Sequence, residues 1–490
     1  MLDRATGGRG KLLSRSFSVR QLISLVAILC QIPLFCVGFI QGSVDVTLLC
    51  IVLTWICLFI MFLARKDATK LAFVITFFFF LLGELFLNQF DTTAFHASNT
   101  ETVLHTHLCI YIALLAFLLG TFLVGDDNNN SELRGIVNGQ DDLLLGVRNV
   151  SKAVFYLCAI CSFLLALERL NLAHTLGSYT ETFVNFSSNL PGFVSKLGGM
   201  ANFALFIYLG TLPDPRKSKM VFGIQMAIAI VMLMYGTRNT LVMTFLLLGV
   251  YCILYERKNG IDFQIIPRWV YALLPAAIPV ALVFFDIIMA LRDGRAYSSE
   301  GFFDSISHIV ASLGGSVNVI SYGFECADQL PNRLYSFGGL IDFFTQNVFA
   351  QTVLGTQQFG GNTVELALYG NSFSSALTYI VKPASYLSGY GMGSSYIAEA
   401  YHDFGYLGVA IFSTLYGMIL QGCGRLKEGK VIRNTVVLMA SYYIWFAPRS
   451  YADGFISCFM NFSFILTVVI ILFGARIYLT KARRSKVALA

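Results

Sequence analysis

Three arginines lie at the ends of apolar runs, where a charged side chain is costly unless it has a function or a partner. They are Arg238 in the segment Tyr-Gly-Thr-Arg-Asn, Arg292 in Ala-Leu-Arg-Asp-Gly-Arg and Arg449 in Ala-Pro-Arg-Ser-Tyr-Ala-Asp. A guanidinium stays charged and presents a planar fork of donors that matches phosphate oxygens. The three arginines therefore predict a binding site for a lipid-linked phosphate or diphosphate, with four supporting residues, Asn239, Arg295, Asp403 and Asp453.

The arginines also have a purely structural interpretation. Each could extend to the lipid headgroups or pair with a nearby carboxylate such as Asp286, Asp293 or Asp453. We favour the binding site because all three arginines are predicted at the same membrane depth, on the side where basic residues are scarce.

Proton chemistry is indicated by Glu399, His402 and Asp403. On a helix that starts near Ser395, these residues are spaced i, i+3 and i+4 and share one face, near the outer mouth of the predicted bundle. A hydroxyl group is a weak nucleophile, and a carboxylate or a neutral imidazole can act as its base. The catalytic candidates are therefore Glu399 and His402. The alternative is a cluster that caps the helix and only orients the span that follows.

Hydrophobic residues make up 56% of the chain and charged residues only 13%, which excludes a soluble domain of this length. Apolar runs long enough to cross about 30 Å of hydrocarbon recur from end to end. We predict an all-α polytopic membrane protein, a single integral domain over residues 1–490, with about twelve spans near 20–41, 46–64, 71–90, 103–124, 152–171, 193–212, 219–236, 239–255, 269–290, 404–424, 433–448 and 455–475.

The distribution of basic residues gives the orientation. With both termini cytoplasmic, only eight of the 34 Lys and Arg residues fall outside: Arg169, Lys196, Arg238, Arg292, Arg295, Arg333, Lys382 and Arg449. This asymmetry follows the tendency of basic residues to stay in the cytoplasm.

Three connections between the predicted spans are long. Residues 125–150 predict a polar cytoplasmic loop, 172–192 a shorter outer loop, and 292–403 a long outer loop that bears the active site. Aromatic residues and the pairs Gly314-Gly315, Gly338-Gly339 and Gly360-Gly361 indicate that the long loop consists of short interfacial helices joined by turns.

Several other classes of chemistry have no support in the sequence. There is no Asp-x-Asp motif and no nucleotide-binding glycine loop, so neither a metal-bound nucleotide sugar nor ATP is indicated. Cys158 and Cys161 lie inside an apolar run without further ligands. We expect no cofactor, no metal and no nucleic-acid partner.

Four local segments resemble the Wzy-type polymerases of O-antigen, capsule and related repeat-unit glycans. They are Gly-Thr-Arg-Asn at 236–239, Ala-Leu-Arg at 290–292, Gly-Ser-Ser-Tyr-Ile-Ala-Glu-Ala-Tyr-His-Asp-Phe-Gly at 393–405 and Ala-Pro-Arg-Ser-Tyr-Ala-Asp-Gly-Phe at 447–455. The likeness covers mainly residues 230–475.

The resemblance implies a GT-C-like, metal-independent glycosyltransferase of the bacterial inner membrane with its active site facing the periplasm. Such an enzyme moves a growing glycan from undecaprenyl diphosphate onto a second lipid-linked repeat unit. Carried over to this chain, Arg238, Arg292 and Arg449 would stabilise the departing diphosphate, and Glu399 or His402 would accept the proton. A chain-length regulator and a flippase would be its further partners.

Two other functions stay open from the sequence. One is a transferase like the O-antigen ligases, which attaches the glycan to a different acceptor. The other is a carrier or flippase of lipid-linked oligosaccharides, although a carrier usually keeps polar residues along a path through many spans, and here they are concentrated outside the spans.

Overall fold

The computed structural model describes residues 19–90, 95–125, 138–176, 186–259, 279–280, 283–288, 301–346, 352 and 355–488. Within these ranges the chain is helical and contains no β-strand, which confirms the predicted all-α class. Arg292, Arg295 and most of the predicted span 269–290 lie outside the described residues.

The first half of the chain consists mainly of long apolar helices. They are α1 (Val19–Ile40), α2 (Val44–Ala64), α3 (Ala68–Leu87), α4 (Thr100–Leu123), α5 (Asn138–Leu176), α6 (Gly192–Gly210), α7 (Lys219–Met234) and α8 (Arg238–Asn259). Helix α3 contains one π-helical turn, Phe78–Leu82, immediately before Gly83. Such turns are often found at functional sites.

The segment before the last spans consists of short helices, as predicted from its glycine pairs. They are α9 (Phe302–Gly314), α10 (Val317–Glu325), α11 (Gly338–Thr345), α12 (Val364–Tyr369), α13 (Phe373–Val381) and α14 (Pro383–Leu387). Three of them begin after a residue whose side chain accepts a backbone N–H or at a proline, as helix starts commonly do.

The chain ends with α15 (Tyr396–Gly422), α16 (Val431–Phe446), the short α17 (Gly454–Ser457) and α18 (Phe462–Ala488). A 3₁₀ turn, Ala447–Arg449, follows α16 directly and carries one of the predicted arginines.

In the described part of the chain, nine helices are long and apolar enough to cross a membrane: α1 to α6, α8, α15 and α18. They match nine of the twelve predicted spans. Helices α7 and α16 coincide with two more predicted spans but have only 16 residues each. The last span begins later than predicted because Gly454–Ser457 and Cys458–Met460 form separate short turns.

The predicted cytoplasmic loop 125–150 is too long, because α5 already begins at Asn138. The apolar pattern of the helix continues at Leu143, Leu145, Val147 and Val150. The side chain of Arg148 donates to the carbonyl of Thr211 at 2.6 Å. The predicted outer loop 172–192 is shortened in the same way, since α5 continues to Leu176.

Helix α15 reverses direction at Gly405 instead of running straight. Gly405 has φ 62° and ψ −155°, a conformation that side-chain-bearing residues rarely adopt. The hydroxyl of Tyr396 lies 3.1 Å from that of Ser413, whereas a straight helix would separate these residues by about 25 Å. Residues 396–404 therefore fold back along 406–422.

The bundle has two distinct ends, which α3 connects. At its beginning, Lys70 donates to Gln421 near the end of α15 at 2.6 Å, and Arg257 near the end of α8 donates to Asp67 at 3.0 Å. The last turn of α3 instead contacts α9 and α10, through Glu84. Arg238, at the start of α8, lies at this second end.

Candidate active site

Two of the predicted arginines meet at the end of α9. Arg238 Nη1 donates to the hydroxyl of Ser312 at 2.9 Å. Arg449 Nη1 donates to the carbonyl of Leu313 at 2.8 Å and to the hydroxyl of Ser316 at 3.3 Å. The last carbonyls of a helix have no partner within it and attract cations. The end of α9 therefore brings together two guanidinium groups that are far apart in the sequence.

Part of the Arg449 guanidinium makes no hydrogen bond to the described residues. Among the described residues, only Nη1 donates a hydrogen bond, and no carboxylate forms an ion pair with this side chain. Its guanidinium carbon lies 5.9 Å from the ring centre of Phe80. Burial lowers the pKa of Arg449, and the charges of Tyr390 and Glu84 oppose this shift. The arginine side chain nevertheless remains charged. The Nε and Nη2 groups can receive an anion.

A close contact between α9 and α3 positions the residues that bind the two arginines. The sequence did not indicate this contact. A side-chain carbon added to Gly314 would lie 2.7 Å from Glu84 Cβ and 2.8 Å from its backbone nitrogen, so only glycine fits there. Asn318 Nδ2 donates to Glu84 Oε1 at 2.8 Å. The sequence predicted only that the pair Gly314-Gly315 marks a turn between short helices.

His402 and Asp403 form a hydrogen-bonded pair. His402 Nδ1 lies 3.1 Å from Asp403 Oδ1, and the Asp403 carboxylate also accepts the backbone N–H groups of Tyr335 and Ser336 at 3.2 and 2.7 Å. These N–H donors fix the carboxylate, which in turn fixes the imidazole. With Nδ1 as the donor to Asp403, Nε2 has a free lone pair, as a general base requires.

Glu399 has a different environment from the one expected of a base. It is fully buried, and both carboxylate oxygens are occupied: the Ser394 hydroxyl donates to Oε1 at 2.6 Å and the Ala452 N–H to Oε2 at 2.8 Å. The Tyr416 hydroxyl donates to the carbonyl of Ala452 at 2.6 Å. Glu399 thus holds the backbone that follows Arg449, and it lies inside the protein instead of at an outer mouth.

The remaining supporting residues have separate positions. Asp453 Oδ2 accepts the N–H of Leu340 at 2.7 Å and anchors the start of α11. Burial raises the pKa of Asp453, and the backbone N–H of Leu340 opposes this shift. Within the described residues, Asn239 makes no hydrogen bond through its side chain, so its predicted role has no contact to support it.

The arginine pair and the His402–Asp403 pair are linked by one short path. Arg449 is three residues from Ala452, a separation of at most about 11 Å. Glu399 binds Ala452 and precedes His402 by less than one turn, about 5 Å along the helix axis. This path connects the segment that carries Arg449 to the helix that carries His402.

A comparison with protein families gives a match over nearly the whole chain. A family model described as O-antigen polysaccharide polymerase Wzy matches residues 20–482. The chain belongs to this family. No curated protein and no solved structure matches the chain, so the expected GT-C-like architecture stays a prediction.

Membership of the Wzy family implies a polymerase of O-antigen repeat units, which is a membrane glycosyltransferase acting on lipid-linked oligosaccharides. The resemblance predicted from four short segments is thereby confirmed, and the multi-pass membrane character agrees with the nine long apolar helices in the described ranges. Which residues bind and react, and which face of the membrane they occupy, are matters of proposal.

Metal independence also stays a prediction for this Wzy-family chain. Among the residues that the structure describes, no three His, Cys, Asp or Glu side chains are gathered as a metal ion would require. His105 and His107 are buried by packing: His105 lies 2.9 Å from the Tyr406 hydroxyl and His107 2.8 Å from the Thr47 hydroxyl.

Proposed function

We propose that this chain polymerises undecaprenyl-diphosphate-linked repeat units on the outer face of the bacterial inner membrane. Arg238 and Arg449 bind the diphosphate of the donor, and Arg292, outside the described residues, is the third member of this set. His402, oriented by Asp403, is the base. Of the two candidates from the sequence, we prefer His402 because Glu399 has no unoccupied oxygen.

The observation that carries the proposal is the convergence of Arg238 and Arg449 on one helix end. Their contacts, Ser312 for one and Leu313 with Ser316 for the other, lie within a turn of each other. Two guanidinium groups at one place suit a ligand with two phosphates better than a single carboxylate, because each phosphate accepts several hydrogen bonds.

The reaction assigns each group a simple task. The acceptor hydroxyl gives its proton to His402 Nε2 and attacks the anomeric carbon of the donor sugar. The bond from that carbon to the diphosphate oxygen breaks, and the diphosphate departs with the electron pair. Arginine side chains stabilise the charge that develops on this oxygen, and this stabilisation is usually the largest contribution to catalysis.

The outer location rests on two observations. Arg238 and Glu84 are at the opposite end of the bundle from Lys70, Arg257 and Gln421. The end with Arg257 is also where most of the basic residues lie, which favours a cytoplasmic position for it.

The experiment that tests the function is the surface-glycan ladder of a strain that lacks this gene. We expect the ladder to collapse to single capped repeat units and to be restored by the gene on a plasmid. Complete loss of repeat units from the surface would indicate a flippase or another transfer step and would contradict a polymerase.

The same strain tests the arginines. Arg238→Ala, Arg292→Ala and Arg449→Ala should each abolish long polymer at normal protein abundance, because each removes a charged donor to the diphosphate. Lys196→Ala, an exposed basic residue elsewhere on the predicted outer side, is the matched control and should give a wild-type ladder. A wild-type ladder in two of the three arginine variants would refute the assignment.

A further inference from the structure

Glu84 is a buried carboxylate that the reaction described above does not use. Its side chain lies near the end of α3 and is 3% exposed. Oε1 accepts the hydrogen bond from Asn318, but Oε2 has no hydrogen-bond partner among the described residues. An ionised carboxylate in a membrane-spanning helix is costly without a partner, so its presence here makes it a candidate for a functional role.

The carboxyl group packs against the turn of chain that binds the two arginines. Gly314, next to the Leu313 carbonyl that binds Arg449, packs on Glu84 itself. A side-chain carbon at Gly315 would be 3.8 Å from Glu84 Oε2, and the following residue, Ser316, binds Arg449. The carboxyl group of Glu84 therefore faces the turn of chain that binds both guanidinium groups.

A binding site made of arginines alone would hold diphosphate in both substrate and product. The lipid diphosphate released by each transfer would then block the next one, because interactions that are equal in substrate and product slow release without speeding the reaction. A fixed negative charge near the arginines weakens the attraction for any anion by an amount that depends on distance and on the local dielectric.

We propose that Glu84 sets the affinity of the arginine site for diphosphate, weakening it enough for the lipid diphosphate product to leave between additions. The inference depends on the proposed function, because it assumes that Arg238 and Arg449 bind the diphosphate. Glu84 acts here through the arginines and touches neither the reacting carbon nor the acceptor.

The test is equilibrium binding of farnesyl diphosphate to the full-length protein in phosphatidylcholine nanodiscs, with farnesol as the ligand without phosphate. Glu84→Gln keeps the acceptor for Asn318 and removes only the charge. We expect it to bind farnesyl diphosphate about tenfold more tightly than the wild type does, from one charge removed at short range, with farnesol binding unchanged. Glu168→Gln is the matched control: it neutralises a carboxylate that binds Ser188 and Asn189 away from the arginines and should keep wild-type affinity.

A kinetic readout separates this role from a structural one. In Glu84→Gln the first transfer should proceed at the wild-type rate, whereas later transfers slow, and undecaprenyl diphosphate should inhibit at about tenfold lower concentration. Wild-type affinity or weaker binding in Glu84→Gln would overturn the inference. Should that variant fold poorly, Glu84→Met, which suits an apolar interior, must show the same tighter binding or the inference fails.

The same binding experiment with Arg449→Ala tests the diphosphate site separately from the role of Glu84. If the wild type and Arg449→Ala bind farnesyl diphosphate equally, the diphosphate site itself is wrong and the inference falls with it. If Arg449→Ala loses binding while Glu84→Gln matches the wild type, the site stands and only the role of Glu84 is refuted.

Discussion

At the scale of residues, the site is built from side chains that are held by backbone groups. Arg449 is held by the Leu313 carbonyl, Asp403 by two N–H groups, and Glu399 by the N–H of Ala452. Backbone partners are fixed by the helices they belong to, so each side chain is already oriented before substrate arrives. Such preorganisation is what electrostatic catalysis requires.

His402 and Asp403 should be separable from the rest of the site by kinetics. In His402→Ala, turnover per molecule should fall about 10²–10⁴-fold, the usual contribution of a general base. Asp403→Asn should lower turnover as well. The amide no longer fixes the His402 tautomer in which Nδ1 carries the proton and Nε2 is free to accept one. The measurement is transfer between purified lipid-linked repeat units. His174→Ala, at an exposed position near the end of α5, is the control, and wild-type turnover in His402→Ala would contradict the assignment.

Glu399→Gln distinguishes a base from a buried support. Gln offers only one acceptor oxygen. If that oxygen keeps the Ala452 N–H, the Ser394 hydroxyl can accept from the new amide group but has no acceptor for its own proton. An unsatisfied buried group costs about 1–3 kcal/mol, and the thermal midpoint of the purified protein should drop accordingly. We expect lower stability with most of the specific activity retained. Full stability with a hundredfold loss of turnover would instead make Glu399 the base.

At the scale of elements, the contact between α3 and α9 positions the arginines. Val310 lies over Gly83 and Gly314 lies over Glu84, so the two helices approach closely along one turn of each. Because Ser312 and Leu313 belong to that turn, a small separation of α9 from α3 would move the partners of both arginines.

Gly314 and Gly315 provide a matched pair to test this contact. Alanine at Gly314 would meet the backbone of Glu84 at 2.8 Å, whereas alanine at Gly315 has its nearest neighbour at 3.8 Å. We expect Gly314→Ala to lose long polymer and to be destabilised by about 1–3 kcal/mol, as overpacked sites are. Gly315→Ala should behave like the wild type. Equal ladders and equal thermal midpoints for the two variants would show that the close approach is not required.

At the scale of the whole molecule, a buried charge network at one end of the bundle is separate from the proposed diphosphate site at the other end. Buried Lys70 lies 3.1 Å from Asp67, which also binds Arg257, and donates to Gln421. This network joins α3, α8 and α15 about 21 Å along α3 from Glu84. Charges at one end therefore hold the helices together, while those at the other end belong to the proposed site.

Removing Lys70 should affect stability and leave the chemistry intact. Lys70→Ala removes a hydrogen-bond donor to Gln421 and one of the cations that pair with Asp67, and breaking a buried ion pair costs about 3–5 kcal/mol. Lys258→Ala removes a pair with the exposed Glu428 and should cost less than about 1 kcal/mol. Thermal unfolding in detergent checks both, with the specific activity of the folded fraction expected at the wild-type level. Equal unfolding midpoints for the two variants would contradict this division.

The sequence alone determined the class of the protein and the identity of its candidate residues. Apolar runs of membrane length, glycine pairs between short helices and a helix starting after Ser395 are local features, and the structure confirms them in the described ranges. Four short segments were sufficient for the family, which the match over residues 20–482 confirms.

The tertiary structure decided which of those residues meet. Hydropathy predicted a span from 404 to 424 and could not show the reversal at Gly405, because glycine is compatible with both a straight helix and a turn. That reversal buries Glu399 against Ala452 and excludes it from the surface where the sequence put it. Arg238 and Arg449 contact the turn at the end of α9, and this turn packs on Glu84, so their arrangement depends on how α9 packs on α3. Contacts between elements distant in sequence have no local signal, so only the packed bundle specifies them.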